Sequence, residues 1–305
     1  MLIRPTLTQF IKQKEVSRTI AQLISIPKNP IVNQVALVPS TTVHFALIGI
    51  AFDLLLRCYL FREYSKHSKT KWHLQIGQYL GGHYRYAFED AEKEIKRYFK
   101  EGKFDKKLFR ACYTLAQLEA FTRCGVVKHL GRVPRGVVEE LEKLISIVDI
   151  KKFQPNKYII LNPDFNTLET AVRCADCDLI IDDTLIEIKT VKNGRSNSYF
   201  WKQLIGYYYL SKIGGINKPN IFSKEMELIE ILEKSKYRKK PKLIKDIEIK
   251  RIGIYYSRYG ILHIEPIDKI ISSLDNHKAL EKIMTEFVLV EPIQDNLTRK
   301  IVHSL

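Results

Sequence analysis

Apolar residues first recur at helical spacing over residues 6–24, and prolines at 27, 30 and 39 then mark a loop. Residues 43–61 are almost continuously apolar, interrupted only by His44, Asp53 and Arg57. An ionised Asp–Arg pair is costly at the middle of a bilayer, so this run predicts a buried helix and not a membrane span. The pattern stays helical from 72 to 148, best over 87–101, 106–123 and 135–147. Pro134 precedes the last of these, as suits a helix start, and Glu139, Glu140 and Glu142 suit the positive end of its dipole. The period then shortens. Residues 179–181 and 185–188 are Leu/Ile-rich strand runs, and Asp182-Asp183 sits between them as a turn. Helical spacing returns over 198–213. A second hairpin follows over 252–265, turning near Arg258-Tyr259-Gly260, and a last helix over 274–287. Helix, strand, strand, helix, strand is an α/β order.

The first hairpin carries the chemistry. With Asp182 and Asp183 as the turn, Ile181 pairs with Thr184, Asp178 falls opposite Glu187, and Asp176 falls opposite Lys189. Glu187 and Lys189 are two apart and share that face, while Leu179, Ile181, Ile186 and Ile188 take the other and suit a core. Clustered carboxylates repel, and a divalent cation relieves the repulsion. Mg²⁺ takes oxygen ligands, few of them from protein, and completes its shell with water and substrate phosphate. Asp178, Glu187 and the Ile188 carbonyl offer such a set, and the Lys189 ammonium can hold a water or a charged phosphate. The implied reaction is phosphodiester hydrolysis by a Mg²⁺- or Mn²⁺-assisted route. The plain alternative is a surface hairpin with an ordinary Glu–Lys pair.

The spacing Asp178-x8-Glu187-x-Lys189, in the wording ADCDLIIDDTLIEIKT, resembles the PD-(D/E)XK nuclease superfamily, in its RecB-like branch. The resemblance implies an α/β, restriction-endonuclease-like core, a mixed central sheet flanked by helices, here with a helical insertion. It implies Asp178 and Glu187 as metal ligands and Lys189 as the catalytic lysine. Gln203 and Tyr207, four apart on the following helix, match the Q-x-x-x-Y of that branch, which supports the site and contacts the substrate strand. An amphipathic helix with core tyrosines is the other reading. In Gly49-x-x-x-Asp53, Asp53 stands where the branch often has a metal-binding His; it is either a further ligand or the i,i+4 partner of Arg57. Asp164, in a literal Pro163-Asp164, competes with Asp178 as the metal acid, but it lies in the loop-like LNPDFNT. Asp176 is the other competitor, and its place opposite Lys189 fits a charge partner or outer support for the ligands. The implied organisation is an N-terminal helix and loop over 1–40, a nuclease-like core over 41–267 with the insertion at about 72–150, and a C-terminal helix and tail over 268–305.

Charge fits this chemistry. The chain carries 50 Lys and Arg against 34 Asp and Glu, a net +16, which favours a polyanion and hence nucleic acid, DNA being expected. Lys234, Lys236, Arg238, Lys239, Lys240, Lys242 and Lys245 cluster without an intervening acid; they form either a phosphate-tracking loop or a solvated one. The five cysteines are odd in number, and the N-terminal MLIRPTLTQFIKQK does not read as a secretory signal, so a reducing cytoplasm is expected. No cysteine follows Cys177, which argues against the iron–sulfur cluster of some RecB-like nucleases, and Cys177 itself reads as core-facing. There is no G-x-x-x-x-G-K-[ST], so a motor would be a separate ATPase or helicase subunit. Two rival readings keep the fold: a non-catalytic nucleic-acid-binding module, and a subunit of a defence or repair complex whose basic loop binds a partner.

Overall fold

A computed structural model of the protein describes residues 4–70, 72, 74, 76–77, 80–125, 127, 129–193, 197–217, 243–244 and 247–286. The basic cluster, including Lys236, Arg238, Lys239, Lys240 and Lys242, lies outside the described residues, as does the chain beyond 286.

Five strands form the central sheet: β1 (Ile159–Leu161), β2 (Leu179–Ile181), β3 (Thr184–Lys189), β6 (Arg251–Tyr256) and β7 (Ile261–Pro266). Their order is β1-β2-β3-β6-β7, with β4 (Ile216–Asn217) and β5 (Leu243–Ile244) forming a separate pair. All neighbours are antiparallel except β3 and β6, which run parallel, so the sheet is mixed. The parallel pair requires a crossover, and α7 (Asn197–Ile213) lies in it. In the turn between β2 and β3, Asp182 takes a left-handed φ of 52°, which Asp tolerates better than a branched residue. Its carboxylate accepts the backbone N–H groups of Asn156, Lys157 and Tyr158 at 2.9, 2.8 and 3.0 Å. That fixes the hairpin to the segment leading into β1.

Helices cover both faces, giving an α/β fold of a mixed five-stranded sheet between helical layers. On one face, α3 (Phe45–Tyr64), α4 (Gly82–Glu101), α5 (Lys106–Cys124) and α6 (Val137–Ser146) pack with Leu179, Ile181, Ile186 and Ile188, the predicted apolar face of the hairpin. α3 is buried on most sides, as its nearly unbroken apolar run requires. Tyr84 stacks on Phe121 at 4.3 Å within this layer. No described helix is long and apolar enough to cross a membrane.

On the other face, α1 (Leu7–Lys12), α2 (Lys14–Leu23), α7, the short α8 (Ile267–Ile270) and α9 (Leu274–Thr285) pack with Ile180, Leu185, Ile252, Ile254 and Tyr256. The helix expected over 6–24 is two helices. Gln13 is extended, with φ −61° and ψ 132°, after a capping box between Thr6 and Gln9 opens the first. α1 packs on α7 at Gly206, where a Cβ would stand 2.6 Å from a Leu7 methyl group, so a larger residue there would make the buried Leu7 side chain shift.

A buried ion pair joins distant parts of the first layer. Arg258 donates to Glu140 at 2.5 Å, with both side chains at most 1% exposed. The other oxygen of Glu140 accepts from Thr41 N, Thr41 Oγ1 and Thr42 N at 3.0, 2.9 and 3.1 Å. Glu140 is therefore not simply a helix-dipole residue: it ties α6 to the β6–β7 turn and to the chain entering α3.

Candidate active site

Pairing of β2 with β3 runs from Leu179↔Ile186 to Ile181↔Thr184, the register expected from the turn, so extension by one residue sets Asp178 beside Glu187. Beyond Leu179 the chain leaves β3 and turns to its other neighbour. Asn162 N–H donates to the Asp178 carbonyl at 2.8 Å, and Cys177 N–H to the Pro163 carbonyl at 3.0 Å. This corrects the expected place of Asp176. It is exposed and bridges to Asp164, not to Lys189. The parting of the strands leaves the edge of β3 open at Ile188, and the Asp178 carboxylate fills the gap, accepting the Ile188 N–H at 2.5 Å.

Glu187 is buried, 5% exposed, under the layer that holds α7. Its Oε1 accepts from Lys189 Nζ at 2.7 Å. Its Oε2 is buried and has no hydrogen-bond partner. Lys189 Nζ also donates to Gln203 Oε1 at 3.1 Å, and Gln203 Nε2 donates to the Tyr207 hydroxyl at 2.7 Å. Four-residue spacing on α7 stacks Gln203 over Tyr207, and Tyr207 lies flat against Phe165 at 5.6 Å and 18°. The Lys189 ammonium also sits 4.9 Å from the centre of the Phe200 ring. One chain of contacts thus runs from Glu187 through Lys189 and Gln203 to Tyr207.

Asp53 reaches the cluster from α3, in the opposite layer. Arg57 grips it at two points, 3.2 and 2.6 Å, so the i,i+4 pair forms. Asp53 is nevertheless close enough to Asp178 and Glu187 for the acids to raise one another. Burial, opposed by Arg57 and assisted by Asp178, lifts the Asp53 carboxyl to about 7. Burial and then Glu187 lift Asp178 to about 8, against the opposing charge of Lys189. Glu187 is raised by burial, which Lys189 only partly offsets. Burial pulls the Lys189 ammonium down, but Glu187 and Asp178 more than compensate, and it stays above its ordinary value. Asp164 is lifted to about 6, by burial and then by Asp176. Asp53, Asp178 and Glu187 gather around Lys189, and Asp176, bridged to Asp164, is close enough to raise Glu187 as well.

Among the described residues no three acid, histidine or cysteine side chains already converge as a cation cage. The donor set nonetheless fits a hard cation. All the donors are oxygens, burial and then the neighbouring acids raise the carboxyls, and one buried carboxylate oxygen has no partner. Cys177 is core-facing, its thiol directed at the Leu179 carbonyl at 3.8 Å.

Sequence reasoning missed the clamp on the segment after Lys189. Ser257 Oγ donates to Thr190 Oγ1 at 2.9 Å and to the Lys189 carbonyl at 3.4 Å, and Tyr259 OH donates to the Lys192 carbonyl at 2.7 Å. These residues lie at the β6–β7 turn, and their only signal in the sequence was the Arg258-Tyr259-Gly260 turn itself. Comparison of the chain with protein-family models, with characterised proteins and with solved structures gave no match.

Proposed function

We propose that this protein is a Mg²⁺- or Mn²⁺-dependent nuclease that hydrolyses DNA phosphodiester bonds on a PD-(D/E)XK-type core. The observation that carries the reading is Glu187: a buried carboxylate with Lys189 on one oxygen and nothing on the other, beside a second, half-buried acid, Asp178. A structural salt bridge has no use for the unpartnered oxygen, whose desolvation is costly. A site that receives a cation does.

Asp178, Glu187 and the Ile188 carbonyl would hold the metal. Asp53 would join them by sharing its carboxylate with Arg57. The bound cation would lower the pKa of an attacking water and offset charge on the phosphate. The protein's own part is positioning. Lys189 holds a water or the charged phosphate oxygens, Gln203 keeps the ammonium in place, and Tyr207 orients Gln203. The net charge of +16 favours a polyanionic substrate.

The test is incubation of purified protein with linear, circular, single-stranded and double-stranded DNA, in Mg²⁺, Mn²⁺ or EDTA, beside Glu187→Ala and Lys189→Ala. Cleavage that needs the metal and is lost in both variants is expected. Cleavage unchanged in the variants overturns the assignment. DNA retained in EDTA without any cleavage moves the protein to the class of non-catalytic binding modules.

A further inference from the structure

Phe45, Gly49 and Asp53 recur every four residues and share one face of α3. At one end of that face Asp53 adjoins the acid cluster. In the middle, a Cβ on Gly49 would sit 3.9 Å from Thr190 Cβ, so the helix lies against the segment after β3. At the other end Phe45 is 42% exposed, and Lys192 Nζ lies 3.8 Å from its ring centroid. Asp53 and Phe45 are eight residues apart, ~12 Å along the helix. Lys189 and Lys192 can be at most ~11 Å apart along the chain. Phe45, Thr190, Val191, Lys192 and Asn193 line an open groove of about 330 Å³. The groove is held in shape by the Ser257 and Tyr259 contacts to Lys189, Thr190 and Lys192.

We propose that this groove takes one unpaired nucleotide next to the scissile phosphate, its base stacked on Phe45 and its phosphate met by Lys192. The proposal deepens the nuclease reading and rests on it for the direction of the strand toward Lys189. A large aromatic ring at the surface, beside a fixed backbone and under a lysine, is the combination used for sequence-independent binding of single strands. The cation now over the ring marks its open face. A stacked base outweighs an exposed cation–π contact, and the displaced ammonium then has an anion to meet. A base within a duplex is paired and has its faces covered by its neighbours, so the groove favours single strands and flaps over duplex.

The experiment measures binding of fluorescein-labelled oligodeoxynucleotides, single-stranded and blunt duplex, to full-length protein carrying Glu187→Gln so that cleavage is suppressed. Adding Phe45→Ala is expected to weaken single-strand binding ~10-fold, the loss expected for one stacked base, and to leave duplex binding unchanged. Phe45→Trp is expected to restore it, with tryptophan emission quenched by the single strand. No loss on Phe45→Ala overturns the proposal. Equal loss on both substrates does so too, because it would signal a folding or general surface effect. Metal-dependent cleavage by the wild type together with a silent Phe45→Ala leaves the nuclease standing and removes the groove. Absence of cleavage with the single-strand effect intact removes the nuclease and keeps the groove as a binding site. Absence of all oligonucleotide binding removes both.

Discussion

Replacing Asp178 by Asn should stabilise the metal-free protein while abolishing its proposed activity. The Asp178 carboxyl is held at about 8 against an ordinary 3.8, chiefly by burial and then by Glu187. A group that binds its proton more tightly in the folded state destabilises the fold once it must ionise. The penalty is absent below pH ~4, grows as pH rises toward 8, and is complete above it. At ~1.4 kcal/mol per tenfold change in proton affinity, the full shift would cost ~5–6 kcal/mol. Asp178 is partly exposed, and screening by solvent reduces this to ~2–3 kcal/mol. Asn keeps an oxygen to accept the Ile188 N–H, which now reaches Asp178 at 2.5 Å, so the variant loses the charge and not the contact. The assay is urea unfolding in EDTA at several pH values between 4 and 9, wild type beside variant. The stability difference should be near zero at the acid end and reach ~2–3 kcal/mol in the variant's favour above pH 8. Adding Mg²⁺ should raise the wild type's midpoint more than the variant's. A variant as stable as or less stable than the wild type at pH 8 would refute the assignment of Asp178 as a desolvated acid waiting for positive charge.

Three further outcomes follow from the contacts. Gln203→Ala removes both the acceptor from Lys189 and the donor to Tyr207, so cleavage should fall ~10–100-fold in kcat with KM little changed, read by steady-state kinetics. Glu140→Gln leaves Arg258 buried with its charge uncompensated and should cost ~3–5 kcal/mol in denaturant unfolding, and Glu140→Leu with Arg258→Met should recover only part of it, because Thr41 and Thr42 lose their acceptor. Burial raises the Glu140 carboxyl, but hydrogen bonds from Arg258 and Thr41 outweigh that and hold it low, so this pair's contribution persists above pH ~4.5 and is lost as pH falls through the lowered value. Asp182→Ala strips three backbone N–H groups of their acceptor and should cost ~1–3 kcal/mol, with amide exchange rising first at residues 156–158.

The hairpin was the most legible part of the chain because its evidence is local. The turn residues and the alternation of Leu and Ile set the register, and Asp178, Glu187 and Lys189 follow from it. The apolar run around Asp53 announced α3 for the same reason. What failed to show depends on partners far away in sequence. Asp176 does not face Lys189 because the chain before β2 leaves β3 for the segment around Asn162 and Pro163, which reads as a loop in isolation. Glu140 reads as a helix-dipole residue in the sequence because its partner lies 118 positions later. The extended Gln13 between α1 and α2 interrupts a pattern whose apolar spacing continues across it.

Charge balance explains why so many ionisable groups are gathered at one end of the sheet. Asp53, Asp178 and Glu187 bring three negative charges when ionised, and Arg57 and Lys189 bring two positive ones. The excess negative charge is what burial penalises, and it appears as the raised carboxyls. A divalent cation would reverse the balance to a single positive charge, which one phosphodiester would neutralise. The same arithmetic separates Lys189 from an ordinary salt-bridge lysine. Were its task only to neutralise Glu187, the second oxygen of that carboxylate would not need to be buried without a partner, nor Lys189 be held from the far side by Gln203. Holding it from both sides fixes the ammonium in space whether or not Glu187 turns its charge toward a metal. That is the arrangement needed if Lys189 is to meet a phosphate and not merely a neighbouring acid.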